Sequence, residues 1–168
     1  MNLHPRVTRF SSPNTYSWDV IGAAALIGLG ALSSLADGTL GFLLALLGTS
    51  WFHTHFSGLP HPLDRFIPKY PSQNLETSLG SGERHLIVMA HVDTARSAFL
   101  YSPSSVGRFR QTFVLNAVLA YLTPLFVVMA TILNASGIPS SPLLVLLGAY
   151  FLVNAALFYH RETHRAPL

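Results

Sequence analysis

Four long apolar segments constrain the fold of this chain more than any other feature of its sequence. They cover residues 18–36, 39–56, 112–135 and 142–159. Each is close to the ~20 residues that a helix needs to cross the ~30 Å hydrocarbon core of a bilayer. Only 10% of the residues are charged, whereas soluble globular domains carry about 25%. We therefore predict a mainly α-helical integral membrane protein with four transmembrane helices and the lipid bilayer as a partner.

Short polar turns join these segments in pairs. Asp37-Gly38 separates the first two segments, residues 134–141 separate the last two, and both stretches have turn composition. The sequence therefore predicts two helical hairpins, linked by a central segment. The predicted boundaries are a tail at 1–17, hairpins at 18–56 and 112–160, the central segment at 57–111, and a second tail at 161–168.

Small residues and one proline add detail to the predicted helices. Ala24 and Gly28 in the first helix, and Gly41 and Ala45 in the second, recur at helical spacing. Small residues at this spacing let helix backbones approach closely in a membrane. Pro124 lies midway along the third segment, where a proline removes one helical hydrogen bond and favours a kink.

The positive charges predict the orientation. All ten Lys and Arg residues lie in the two tails or the central segment, and neither hairpin turn carries one. Cytoplasmic loops of membrane proteins carry the excess of Lys and Arg. Both termini and the central segment are therefore expected in the cytoplasm. The charges form no basic tract, so we predict no nucleic-acid partner, and the absence of cysteine excludes thiolate metal sites.

The central segment predicts a small β-hairpin after a proline-rich loop. Four prolines between residues 60 and 71 argue against regular structure there. Two short extended stretches, 74–77 and 85–90, then flank a Gly-rich turn, which is a hairpin signal. Because an isolated two-stranded hairpin is only marginally stable in water, the membrane face, a second copy or another protein must cover it, and we expect another protein chain to cover residues 74–95.

His91-Val92-Asp93 ends the second of these stretches and is the sharpest candidate for chemistry. His91 and Asp93 lie on the same side of an extended chain. An aspartate beside a metal-binding histidine commonly accepts its second imidazole N–H. A polar strand end, with Asp93 capping the next turn, explains the same residues without a metal.

The order of Ser72-Gln-Asn-Leu-Glu-Thr77, a Gly-rich turn and His85–Thr94 resembles the start of the catalytic domain of the co-catalytic zinc aminopeptidases. That family includes aminopeptidases, glutamate carboxypeptidase and the glutaminyl cyclases. The resemblance implies that His91 is a zinc ligand and that Asp93 orients it. The family's bridging aspartate, paired glutamates and late histidine have no counterparts here. Glu162 is the only acidic residue after Asp93.

Two functional hypotheses follow from this incomplete match. In the first, the chain is the N-terminal membrane anchor of a zinc-aminopeptidase-like protein, inactive alone, with zinc bound only when another chain completes the site. In the second, it is a small non-catalytic subunit that packs against a larger membrane complex. His53 and His55, near the end of the second helix, are expected in an interfacial belt, and ligation of a haem or chlorin is their functional alternative.

Overall fold

Four helices form where the four apolar segments lie. One strand of a two-stranded sheet precedes the first pair of helices in the sequence, and the other strand follows that pair. The computed structural model describes residues 6–13, 15–77 and 107–163. Its helices are α1 (Ser17–Ser33), α2 (Gly38–Phe56), α3 (Phe109–Ala135) and α4 (Ser141–Thr163), with a 3-10 helix at Pro62–Phe66. The strands are β1 (Arg6–Ser12) and β2 (Tyr70–Glu76). The prediction of a mainly helical chain is confirmed, but α4 packs mainly against α1 and makes few contacts with α3, its predicted hairpin partner.

Short-range hydrogen bonds form the turn within each pair of helices, at the positions where the sequence predicts a turn. The Asp37 carboxylate accepts hydrogen bonds from the backbone N–H groups of Thr39 and Leu40, at 2.9 and 3.1 Å, and so caps α2. After α3, Gly137 adopts a positive φ of 79°, and the Ile138 N–H returns to the Leu133 carbonyl at 2.9 Å. This glycine-terminated arrangement satisfies the last carbonyls of a helix.

The prediction that each helix is long enough to span a membrane is only partly right. Within the described part of the chain, α3 and α4 are the two helices that are long and apolar enough to cross a bilayer. Helix α1 has 17 residues, or about 25 Å at 1.5 Å per residue, short of the ~30 Å hydrocarbon core. Helix α2 ends in the less apolar stretch 50–55, which shortens its apolar part.

Helix α1 lies between the other three helices, and glycine and alanine set its distances to them. A Cβ atom added at Gly30 would lie 2.5 Å from the backbone nitrogen of Ala45 and 2.8 Å from the carbonyl oxygen of Gly41. One added at Gly28 would lie 3.0 Å from the carbonyl oxygen of Gly148. The predicted close approach at Gly41 and Ala45 is confirmed, while Gly28 faces α4 instead of α2.

Alanine is frequent in the interior of the bundle, and many large apolar side chains are exposed on its surface. Half of the buried apolar residues are alanine, namely Ala23, Ala24, Ala31, Ala45, Ala120, Ala130 and Ala155; the other half are Ile27, Trp51, Ile67, Val127, Leu144, Leu147 and Phe151. Large aliphatic side chains point outward, among them Leu43, Leu125, Ile132, Leu146 and Val153, each more than half exposed. Small residues between helices and large apolar residues outside are typical of helices that pack within lipid.

Helix α3 continues through Pro124, and a neighbouring helix compensates for the missing backbone donor. Proline has no N–H to return to the carbonyl four residues earlier, which here belongs to Ala120. The Thr49 hydroxyl of α2 donates a buried hydrogen bond to that carbonyl at 2.8 Å. This contact joins α2 to α3 at the carbonyl that Pro124 leaves without its helical donor.

The sheet pairs the N-terminal tail with the central segment. Strands β1 and β2 are antiparallel, from Arg6 opposite Glu76 to Ser12 opposite Tyr70. The extended stretch predicted at 74–77 is therefore present, but it begins earlier and pairs with a tail for which we predicted no strand. The expectation of irregular structure was wrong at Pro62, which begins the 3-10 helix as prolines often begin helices, and at Pro71 in β2, which edge strands tolerate. The other predicted strand, 85–90, lies outside the described residues.

Candidate functional site

The ends of the helices that carry the basic residues meet at one end of the bundle. Trp18 of α1 contacts Tyr159 of α4, with ring centroids 6.3 Å apart. Phe56 of α2 contacts Phe113 of α3 at 5.1 Å. The described basic residues lie at these helix ends or in the segments joined to them: Arg108, Arg110 and Arg161 at the ends of α3 and α4, Arg65 and Lys69 in the chain after α2, and Arg6 and Arg9 in β1, which precedes α1. We call this the basic end of the bundle.

An open cavity of about 510 Å³ lies at the basic end, between the start of the sheet and the helix termini. Its walls come from the beginning of α1, the end of α2, the 3-10 helix and the chain just before β2. The lining combines carboxylates, an imidazole, an ammonium group and apolar side chains, and includes Tyr16, Asp19, His55, Asp64, Ile67 and Lys69.

Asp19 is the most unusual group in this cavity. It is only 7% exposed, although its position in the first turn of α1 suits a negative charge. Tyr16, the N-cap residue of α1, forms no side-chain cap, but the Thr15 hydroxyl accepts a hydrogen bond from the Ser17 N–H at 3.2 Å. The Oδ2 atom of Asp19 lies 3.6 Å from the Nδ1 atom of His55, which is within ion-pair distance but longer than a hydrogen bond. Asp19 and His55 therefore pair α1 with α2 in the wall of the cavity.

Asp64 faces the same cavity but is held by protein donors. The indole Nε1–H of Trp51 donates to Asp64 Oδ1 at 3.0 Å, and the backbone N–H of His61 donates to Oδ2 at 2.7 Å. The His61 ring stacks on Trp51 with centroids 5.9 Å apart and planes at 12°. The Trp51 ring lies directly over Gly22, where a Cβ atom would collide with it. This set of contacts folds the loop after α2 back onto the bundle.

Arg161 joins the end of α4 to the start of α1. It is 7% exposed, and its Nη1 donates to the buried hydroxyl of Ser17 at 2.8 Å. Its guanidinium lies 4.8 Å from the centre of the Tyr16 ring. Thr15 donates to the Glu162 carboxylate at 3.0 Å. The wall of the cavity around Tyr16 is therefore fixed by α4.

The structure separates the two histidines that the sequence proposed as ligands of a haem or chlorin. His55 turns towards Asp19 of α1 and lines the cavity. His53 is exposed, and its Nδ1 is 2.9 Å from the hydroxyl of Tyr121 in α3. The two rings face different helices and form no common site. Whether either one binds a pigment stays a prediction.

His91 and Asp93, the candidate zinc ligand and its orienting residue, lie outside the described residues. Within residues 6–13, 15–77 and 107–163, no three His, Asp or Glu side chains are grouped closely enough to hold a metal ion. A zinc site therefore remains a prediction about residues 78–106 and other chains.

Sequence reasoning missed most of this cavity. Asp19 is the single charge in the first apolar segment, and that isolation was a usable signal. His61-Pro-Leu-Asp64 also resembles a helix start, because the residue at the third helical position can cap the N-terminus. The contacts of Trp51 and Arg161 join residues that are distant in sequence, and no local sequence pattern predicts these contacts.

Comparison with protein-family models, with curated proteins and with solved structures found no match to this chain.

Proposed function

We propose that this chain is an integral membrane anchor: a four-helix bundle that presents the cavity, the sheet and the segment after β2 at one membrane surface. The observation that carries the proposal is the exposed apolar surface of the two longest helices, in which only 28% of the most apolar window is buried. Leu125, Ile132, Leu146 and Val153 are each more than half exposed on these helices, and a bilayer accepts such an apolar surface without penalty.

The short helix α1 is compatible with this arrangement because the other helices cover it. Leu29 is its only large aliphatic side chain that is more than about a third exposed. A short helix enclosed by protein needs little direct match to the bilayer thickness. We therefore propose that α1 and α2 enter the bilayer with α3 and α4, and that both hairpin turns emerge on the far side.

The charges support one orientation. The described Lys and Arg residues are all at the basic end, and the turns at 34–37 and 136–140 contain none. By the distribution of positive charge in membrane proteins, the basic end faces the cytoplasm. The proposal thus places both termini and the central segment in the cytoplasm.

Single cysteines test the topology directly, because the natural chain has none. We choose Gln73→Cys in β2, Ala36→Cys in the first turn and Ser136→Cys in the second, all at exposed positions. A membrane-impermeant maleimide added to intact cells should label positions 36 and 136, and should label position 73 only after permeabilisation. The cysteine-free parent measures the background.

Each other pattern has a separate meaning. If Ala36→Cys is labelled from the same side as Gln73→Cys, and Ser136→Cys from the opposite side, only α3 and α4 span the membrane. If all three are labelled from one side, the proposed anchor is wrong. If position 73 is labelled in intact cells, and positions 36 and 136 only after permeabilisation, the bundle spans the membrane in the opposite orientation.

A zinc-aminopeptidase-like role is the second proposal, and β2 is the observation that favours it. The resemblance implies a strand at about 72–77, and β2 covers Tyr70–Glu76. In this proposal the chain is the anchor fragment of the enzyme, and another polypeptide supplies the missing ligands. Zinc should then co-purify with the assembled pair and fall after His91→Ala, whereas His160→Ala serves as a matched control. Unchanged zinc in both variants refutes His91 as a ligand.

A further inference from the structure

The chain after α2 folds back along the side of the bundle instead of leaving from its end. We call residues 59–68 the return loop. The Nε2 atom of His61 lies 3.3 Å from the Ser50 hydroxyl oxygen, and the His61 ring stacks on Trp51. Helix α2 ends at Phe56, so Ser50 lies about 9 Å before that end at 1.5 Å per residue. The return loop therefore lies beside the last turns of α2, not beyond them.

The inner side of the return loop packs against α1 and α2 at the same depth. Ile67 is 6% exposed and forms a buried cluster with Trp51 of α2 and Ala23 of α1. Leu63 packs against this cluster. Helix α1 begins at Ser17, so Ala23 lies about 9 Å inside the bundle. If both helices enter the bilayer from the basic end, the return loop lies at the level of the lipid headgroups.

The backbone of the return loop is suited to a place where water is scarce. Three of its positions have no N–H because they are proline: Pro60, Pro62 and Pro68. The N–H groups that donate hydrogen bonds within the loop or to α2, at 2.7–3.3 Å, are those of Leu59, His61, Leu63, Asp64 and Ile67. The other two, at residues 65 and 66, lie inside the 3-10 helix, which bonds each N–H to the third carbonyl before it. Non-helical backbone is tolerated beside a membrane where its polar groups are satisfied in this way.

The outer side of the return loop combines exposed apolar side chains with a positive charge. Phe66 is 68% exposed, and Leu59 is 54% exposed. The guanidinium of Arg65, which is also exposed, lies 4.8 Å from the centre of the Phe66 ring. Asp64 is the only acidic residue of the loop, and its carboxylate turns inward to the Trp51 indole. The loop thus presents a ring, an aliphatic side chain and a cation, and contributes no negative charge beside them.

We propose that the return loop binds the cytoplasmic leaflet as an interfacial anchor, with Phe66 and Leu59 among the upper acyl chains and Arg65 on the phosphate of an anionic phospholipid. The inference rests on the proposed membrane location of the bundle. Aromatic rings gather at the level of the headgroups. Arginine lays its stem along apolar groups and keeps its charge in the polar layer, which fits a guanidinium placed over an inserted ring.

The test uses a bimane fluorophore on single cysteines of the full-length chain, which has no natural cysteine. The reporters are Leu59→Cys and Phe66→Cys. Leu146→Cys on α4 is the lipid control, because Leu146 is 68% exposed, as Phe66 is; Gln73→Cys in β2 is the water control. The chain is placed in nanodiscs of equimolar phosphatidylcholine and phosphatidylglycerol. The quenchers are aqueous iodide and lipids brominated near the top of the acyl chains.

Each quenching pattern has one meaning. We expect both reporters to be quenched by brominated lipid, as Leu146→Cys is, and to lose most of the iodide quenching seen at Gln73→Cys. Iodide quenching as strong as at Gln73→Cys would overturn the proposal. Protection from both quenchers would also overturn it, because protein would then cover the loop. Failure of the proposed membrane anchor is distinct, since iodide would then quench Leu146→Cys as well.

Bromine on one lipid at a time identifies the headgroup beside the loop. At Phe66→Cys, brominated phosphatidylglycerol should quench as if enriched about fivefold over phosphatidylcholine, equivalent to about 1 kcal/mol for one arginine near an anionic surface. Arg65→Gln should reduce this enrichment to within about twofold. Arg9→Gln removes an equal charge from an exposed position in β1 and should leave the enrichment unchanged. Equal quenching by both lipids, or an enrichment that survives Arg65→Gln or falls equally in Arg9→Gln, would overturn the assignment of an anionic lipid to Arg65.

Discussion

The hydroxyl of Thr49 should stabilise the bundle only as long as residue 124 is proline. The hydrogen bond from Thr49 to the Ala120 carbonyl is 2.8 Å long and buried, and Ala120 is fully buried. Replacing Thr49 with valine keeps the shape and removes the donor. A hydrogen bond between membrane helices contributes about 0.6 kcal/mol on average and up to about 1.7. We expect a value near the top of that range, about 1.5 kcal/mol, because no main-chain donor replaces it.

The Pro124→Ala background tests that reason. Alanine restores the N–H that bonds the Ala120 carbonyl within α3, so Thr49→Val should then cost less than about 0.5 kcal/mol. The expected coupling between the two positions is about 1 kcal/mol. The effect of Pro124→Ala itself on stability does not enter this difference, because a double-mutant cycle cancels it.

Unfolding in mixed micelles, followed by circular dichroism, gives the four free energies. Thr131→Val is the matched control, since the Thr131 hydroxyl donates at 2.9 Å to the Val127 carbonyl of its own helix. That carbonyl keeps its main-chain donor, and such bonds within a helix contribute little. If Thr49→Val costs the same amount with proline and with alanine at 124, the compensation of Pro124 by Thr49 is refuted.

Two further substitutions test the packing of the bundle and the loop after α2. Gly30→Ala should destabilise the bundle by about 1–3 kcal/mol, because the added Cβ would lie 2.5 Å from the α2 backbone. The control Gly107→Ala, which has open space around it, should change the stability by less than about 0.5 kcal/mol. In a Trp18→Phe background, Asp64→Ala should make the Trp51 indole more accessible to a soluble fluorescence quencher, since the indole loses its 3.0 Å hydrogen bond. Unchanged quenching would contradict the role of Asp64.

The helices could be predicted because their information is local. Apolar composition, the Asp37 cap and the glycine after α3 each act within a few residues, and each element formed where these signals lie. The length of α1 was overestimated because apolar composition continues to Ala36, whereas the helix ends at Ser33. Apolar composition indicates which segment prefers an apolar environment, but main-chain hydrogen bonds determine the residue at which its helix ends.

The cavity could not be predicted, because its parts come from distant segments. Asp19 and His55 are separated by a whole helical hairpin, and Arg161 reaches Ser17 across nearly the entire chain. The partner of β2 was hidden for the same reason. Residues 6–12 alternate weakly and could pair with any exposed strand edge, so only the three-dimensional arrangement shows that they pair with residues 70–76.

The direction of β2 sharpens the prediction for the H-x-D stretch. Strand β2 begins at Tyr70, next to the cavity, and runs away from it to Glu76. Strand β1 occupies one edge, so the predicted strand 85–90 has the other edge for an antiparallel return, which would bring His91 back near Tyr70. Oxidation of the Tyr70→Cys/His91→Cys variant should then form a disulfide, and Glu76→Cys/His91→Cys should not. Efficient cross-linking of the second pair, with none in the first, would exclude this hairpin.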